Sequence, residues 1–252
     1  MNFLDEFIRS ESFGISLDAF LGAFFAFLFV RIATLLDRLF ARKAKHRDAL
    51  VSLERLGNEY LNIIARNEFI IDDYIDIAER NLKNQQGFIY FNELHELHIE
   101  KDIIKGLGNR ELLNDYFSFL ASVESMNGSV AATNRFYRDI KNAYISKQID
   151  QETYFKNIER FIEGVKELKA YLRNLEEGNK YLIAKARILL NDERTFYNRL
   201  LGRILKKKLT EEQRNRVHDE LQQLNSEIET TRKESREETE KILEEIEAER
   251  QK

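Results

Sequence analysis

Proline does not occur once in the 252 residues, and glycine occurs only ten times. Proline breaks helix interiors and glycine weakens them, so a chain almost free of both can form very long helices. A β architecture would need frequent turn residues, and they are missing here. The expected fold class is all-α. A third of the residues are charged, yet the net charge is only −4, so nothing in the overall balance draws the chain to nucleic acid. With no cysteine there is no disulfide, thiolate metal site or cysteine nucleophile, which suits a reducing compartment.

The stretch Ala19–Val30 (AFLGAFFAFLFV) holds twelve residues without a charge or a hydroxyl. Alone it makes only ~18 Å of helix, short for a membrane span and compatible with a buried core helix. Three features favour the span. Phe20, Phe24, Phe25, Phe27 and Phe29 point to several sides of a 3.6-residue helix, whereas a bundle helix keeps a polar face. The flanks extend the apolar run to residues 15–36, ~33 Å of helix and a full hydrocarbon thickness. The charges are also lopsided. Residues 1–18 carry Asp5, Glu6, Glu11 and Asp18 against Arg9, whereas residues 31–47 carry Arg31, Arg38, Arg42, Lys43, Lys45 and Arg47 against Asp37. Such asymmetry is expected when the C-terminal side faces the cytoplasm. A cleaved signal peptide would begin basic and end on small residues, and neither feature is present. Ala19/Ala23 and Gly22/Ala26 place small residues four apart, a spacing that lets two spans approach closely but that also arises because small residues are common in spans, which is the favoured reading.

Beyond the span the apolar period settles near 3.5. Leu50, Leu53, Tyr60, Ile64, Ile71 and Tyr74 form one ladder, with Gly57 and Asn67 on its other rungs. The span is therefore expected to continue into the first cytoplasmic helix and to end near Asn81. Asn67 reads either as a polar seam residue fixing register and oligomer state, or as an asparagine at a partly exposed helix edge. Residues 81–92 read as a connection and 93–105 as a short helix stopped by Gly106-Leu107-Gly108-Asn109. The next ladder runs through Leu112, Tyr116, Phe119, Val123, Met126, Val130, Tyr137, Ile140 and Tyr144, with Thr133 as its weak rung. Asp150 is the N-cap of a helix carrying Phe155, Ile158, Ile162, Val165, Leu168, Leu172, Leu175, Leu182, Ala186, Leu189, Phe196, Leu200 and Ile204, closed by Lys206–Lys208. Thr210-Glu211-Glu212-Gln213 is a capping box opening the last helix. Its seam (Val217, Leu221, Leu224, Ile228) should pack on the bundle or on a second copy and fade beyond Thr231. The tail from Thr210 carries 14 acidic and 8 basic residues, which rules out a helix lying on an anionic membrane.

The expected organisation is a short extracytoplasmic N-terminus (1–14), a transmembrane helix (15–36), a basic juxtamembrane segment (37–49), an antiparallel helical bundle or coiled coil (50–208) and a long charged C-terminal coiled-coil helix (209–252). The expected location is the plasma (inner) membrane, single-pass, with the C-terminal domain cytoplasmic.

Chemistry-bearing motifs are sparse. His95 and His98 share a helix face in the expected short helix, but zinc wants three or four ligands and Glu-x-x-His occurs nowhere. Gly106-Leu107-Gly108 lacks the lysine and the preceding strand of a phosphate loop. No catalytic, cofactor or metal residue is assigned, and the chain is not expected to be an enzyme. The leading expectation is a membrane-tethered helical scaffold that contacts the lipid bilayer and a protein partner or a second copy, without nucleic acid or an evident small-molecule substrate. The alternative is a membrane-anchored sensor or effector whose bundle binds a small ligand or metal near His95, His98 and Phe88–Phe91.

Overall fold

In the computed structural model, backbone is described for residues 11–84, 88–194 and 209–250, and side chains for 19–84, 88–192 and 209–233. Four helices and no strand occur among the described residues: α1 (Glu11–Asn84), α2 (Arg110–Ile145), α3 (Gln151–Arg194) and α4 (Glu211–Arg250). A short 3-10 turn covers Asp102–Lys105. The chain divides into two compact units, Met1–His46 and Arg47–Lys252. The expected continuity of the apolar stretch with the following helix holds, since both lie in α1. The expected apolar rungs at Phe196, Leu200 and Ile204 and the lysines 206–208 lie outside the described residues.

In the first unit, the apolar part of α1 is long and apolar enough to cross a membrane, and none of its most apolar window is buried. Phe20 is 66% exposed and Phe29 67%, on different sides of the helix. A soluble core helix would hide those rings; burying one is worth roughly 1.5–3 kcal/mol.

In the second unit, the ladder of α1 faces inward without a gap: Leu50, Leu53, Gly57, Tyr60, Ile64, Asn67, Ile71 and Tyr74 are all buried. Pairings across the bundle fix the directions. Tyr144 stacks on Tyr154 and Lys185 reaches Glu111, so α2 and α3 are antiparallel. Arg187 pairs with Glu54 and Lys166 with Glu79, so α3 is also antiparallel to α1. Tyr60 meets Phe119 and Tyr74 meets Tyr137, which makes α1 and α2 parallel. Arg216–Asp192 and Arg232–Glu176 set α4 antiparallel to α3.

Parallel neighbours impose a long return. From the level of Tyr137 to that of Tyr116 is 21 residues of α2, ~32 Å at helical rise. The expected helix over 93–105 would cover only ~20 Å. The chain instead crosses without helix from residue 88 to 101, where eleven steps from Ile89 to Glu100 reach ~36 Å when extended. Distance thus corrects the expected short helix: only the 3-10 turn at Asp102–Lys105 remains of it.

The helix ends follow the sequence signals. Asp150 Oδ1 accepts from the Thr153 N–H, as expected of the N-cap, and Asn109 Oδ1 accepts from the Leu112 N–H. Thr210 and Gln213 form the reciprocal box: Thr210 Oγ1 accepts from the Gln213 N–H, and Gln213 Oε1 accepts from the Thr210 N–H. At the end of α2, the Gln148 N–H donates to Ala143 O and the Lys147 N–H to Tyr144 O. This Schellman closure puts Lys147 at φ 57°, where glycine is usual.

At Gly57 the backbone of α1 meets α3 so closely that an added Cβ would lie 2.5 Å from Ile183 Cγ1, while Gly128 faces open space. Opposite outcomes follow from the same substitution. Gly57→Ala is expected to cost about 1–3 kcal/mol through overpacking. Gly128→Ala is expected to gain about 0.5–1 kcal/mol of helix propensity. Urea denaturation of the two variants checks both signs.

Candidate functional site

His95, His98 and residues 88–91, the first candidates for a ligand or metal, all lie on the crossing segment. A non-helical stretch pressed between helices has no ladder of its own, and each buried N–H or C=O left unpaired would cost ~1–3 kcal/mol. Asparagine side chains supply the partners. Asn134 Nδ2 donates to Leu94 O and its Oδ1 accepts from the Leu94 N–H, both at 2.9 Å. Asn127 makes the same pair with Leu97, and Asn67 with His95, all four bonds at 2.8 Å. Tyrosine hydroxyls hold the ends. Tyr137 donates to Ile89 O, Tyr116 to Glu100 O and Tyr60 to His98 O, and Tyr154 accepts from the Ile89 N–H. Burial pushes the Tyr137 hydroxyl up to about 12 and lifts Tyr60, Tyr116 and Tyr154 as well, so all four stay neutral hydroxyls at any physiological pH.

The segment's apolar side chains complete the core. Ile89, Phe91, Leu94 and Leu97 are buried, and Phe91 packs edge-on against Tyr74 and Phe161. The buried Tyr74 hydroxyl has no hydrogen-bond partner among the described residues. Tyr90 is exposed with Lys141 over its ring, and Phe88 stacks on Tyr154.

His95, Glu96 and His98 are brought close in sequence but point to solvent. No group of three or more His, Cys, Asp or Glu side chains suited to a metal ion occurs among the described residues. Asn67 does not sit at an exposed helix edge: it is a buried polar residue of the ladder, and its carboxamide pairs with His95 of the chain's own crossing segment.

A second polar system joins α4 to the bundle. Val217 is buried and Leu221 half-buried against Ala184 and Ile188 of α3, and Leu224 is buried as well, so this seam packs within the chain. Around it, Arg187 of α3 pairs with Glu54 of α1 and Glu220 of α4, and Arg232 pairs with Glu68 and Glu176. The polar docking thus runs one residue past Thr231, where the apolar seam was expected to fade. Side chains beyond Lys233 lie outside the described residues. Burial alone would raise the Glu176 carboxyl, but hydrogen bonds from Lys180 and Arg232 hold it below the usual carboxylate range. Burial likewise opposes the Lys185 ammonium, 2% exposed, yet Asp115, Tyr181 and Glu111 raise it above the usual lysine range.

The described residues also line a cleft of about 280 Å³ between α2 and α3, floored by Phe119, Leu175 and Leu182 and edged by Ser118, Tyr171 and Tyr181. Its carboxylate, Asp115, is already held by Lys185. Sequence reasoning missed the asparagine clamps and the buried cations. The clue to the clamps was available in Asn67, a polar residue on an otherwise apolar ladder.

No protein-family model, no curated protein and no solved structure matches this chain.

Two measurements test these assignments. Asn134→Leu leaves the Leu94 N–H and C=O without partners and is expected to cost about 2–4 kcal/mol in chemical denaturation. His95→Ala and His98→Ala, on the solvent side, are expected to stay within about 0.5 kcal/mol. The lowered Glu176 carboxyl stabilises the fold at neutral pH, and that stabilisation is lost as pH falls through the folded-state value. Tm is therefore expected to drop below about pH 4.5, and Glu176→Gln to lower Tm at neutrality while flattening this acid limb.

Proposed function

We propose that the chain is a non-enzymatic, single-pass membrane protein that tethers a rigid helical bundle to the cytoplasmic face of the plasma (inner) membrane and presents it to protein partners. One observation carries the reading: α1 joins an apolar stretch that is exposed all round to a ladder that is buried at every rung. An apolar surface of that length is costly in water and matches the hydrocarbon thickness of a bilayer. The basic excess over residues 31–47 against the acidic excess over 1–18 supports the cytoplasmic orientation.

A scaffold role follows from where the polar groups of the second unit are used. Asn67, Asn127, Asn134 and Tyr137, beside the crossing segment, are engaged with the chain's own backbone. Exposed rings such as Phe69, Phe117 and Phe136 lie outside that core and offer contact surface to a partner or a second copy.

Membrane fractionation and reporter fusions test this reading. The full chain is expected to stay in the membrane pellet after alkaline carbonate washing, and deletion of residues 1–44 to release it. A fluorescent reporter at the C-terminus is expected to light up in the cytoplasm. Activity of a C-terminal alkaline phosphatase on the outer side would overturn the orientation, and complete release by carbonate would overturn the tether.

A further inference from the structure

The charge bias that orients a span depends on how many cations lie on one side, not on where around the helix they sit. Around α1 they are not scattered. At 100° per residue, Arg31, Arg38, Arg42 and Lys45 fall within an arc of about 60°. Lys43 and Arg47 lie on other faces, and Asp37 is about 120° from Arg31. Arg38, Arg42 and Lys45 are exposed, and no carboxylate among the described residues forms an ion pair with any of the four. The Arg31 guanidinium lies 5.2 Å from the centre of the Phe27 ring, one turn back along the apolar stretch.

We infer that this line of cations is a binding site for the headgroup phosphates of anionic phospholipids on one side of the helix. The inference rests on the membrane-spanning reading above and adds to it which lipid gathers there, and where. With the span ending at Leu36, Arg38 lies ~3 Å and Arg42 ~9 Å beyond the hydrocarbon edge, within or next to a headgroup layer ~5–7 Å deep. Lys45, ~13 Å out, still acts across about one Debye length at physiological salt. Arg31 lies about a turn and a half inside the edge on the same line with its guanidinium over the Phe27 ring, so Arg38, Arg42 and Lys45 are the cations that meet the phosphates. Asp37 is the one carboxylate among residues 31–47 and sits off the line, so the attraction is concentrated on one face. A phosphodiester headgroup has the matching chemistry: a fixed negative charge with acceptor oxygens for guanidinium and ammonium donors.

The sequence contains no tryptophan, so Leu35→Trp, at an exposed position beside the line, gives a single fluorescent reporter in the full chain. The variant is reconstituted into phosphatidylcholine vesicles containing either brominated phosphatidylglycerol or brominated phosphatidylcholine, and quenching gives the relative affinity for the two headgroups. The expected preference for the anionic lipid is about three- to tenfold, falling toward unity in 0.5 M NaCl. Arg38→Gln/Arg42→Gln/Lys45→Gln in the same background is expected to abolish the preference, and Arg47→Gln to leave most of it. Equal quenching by both lipids overturns this inference while leaving the span intact. Loss of the preference in Arg47→Gln as complete as in the triple variant overturns the one-sided site. Absence of quenching by either lipid overturns the membrane reading and the lipid site with it.

Discussion

Everything in the second unit depends on paying the hydrogen-bond demand of one non-helical crossing. Because α1 and α2 run parallel, the chain must return the length of the bundle between them, and only an extended backbone covers that distance in so few residues. Such a backbone presents its N–H and C=O groups to a hydrophobic interior, where they would each be costly if left bare. Asn67, Asn127 and Asn134 each satisfy both groups of one residue, and Tyr60, Tyr116, Tyr137 and Tyr154 complete the ends. The carboxamide suits this task because it carries a donor and an acceptor side by side, in the geometry of a peptide group. The crossing is therefore held by polar contacts at Ile89, Leu94, His95, Leu97, His98 and Glu100, while the side chains of Ile89, Phe91, Leu94 and Leu97 fill the apolar space.

The α4 docking follows a different balance. Its apolar seam is short, and the rest of the contact consists of ion pairs that link α4 to both α1 and α3 through Arg187 and Arg232. Ion pairs of this kind specify register more than they add stability, since removing charges from water offsets much of their attraction. Where a cation is deeply buried, as at Lys185, two carboxylates and the Tyr181 ring surround it and keep it charged. The first unit shows the reverse arrangement: the apolar side chains of residues 19–36 face outward, with Arg31 and Thr34 as the polar exceptions among them.

The sequence by itself determined the helical class, the apolar stretch and most helix faces. Absence of proline leaves the helix as the default, and a 3.5-residue ladder states which side will be buried. Local signals also sufficed for the caps at Asp150 and Thr210, because a cap is satisfied by residues within one turn. Tertiary structure alone decided what depends on partners far along the chain. Whether residues 93–105 form a helix turned on the distance between the end of α1 and the start of α2, which no local propensity encodes. Asn67 was visible as an exception on its ladder, but its role depended on His95 arriving beside it. Nothing local to Lys185 or Glu176 marks them for burial, and only the packing of α2 and α4 against α3 surrounded them. Local pattern sets the elements through short-range sterics and hydration, and long-range hydrogen bonding and charge pairing then set how those elements are joined.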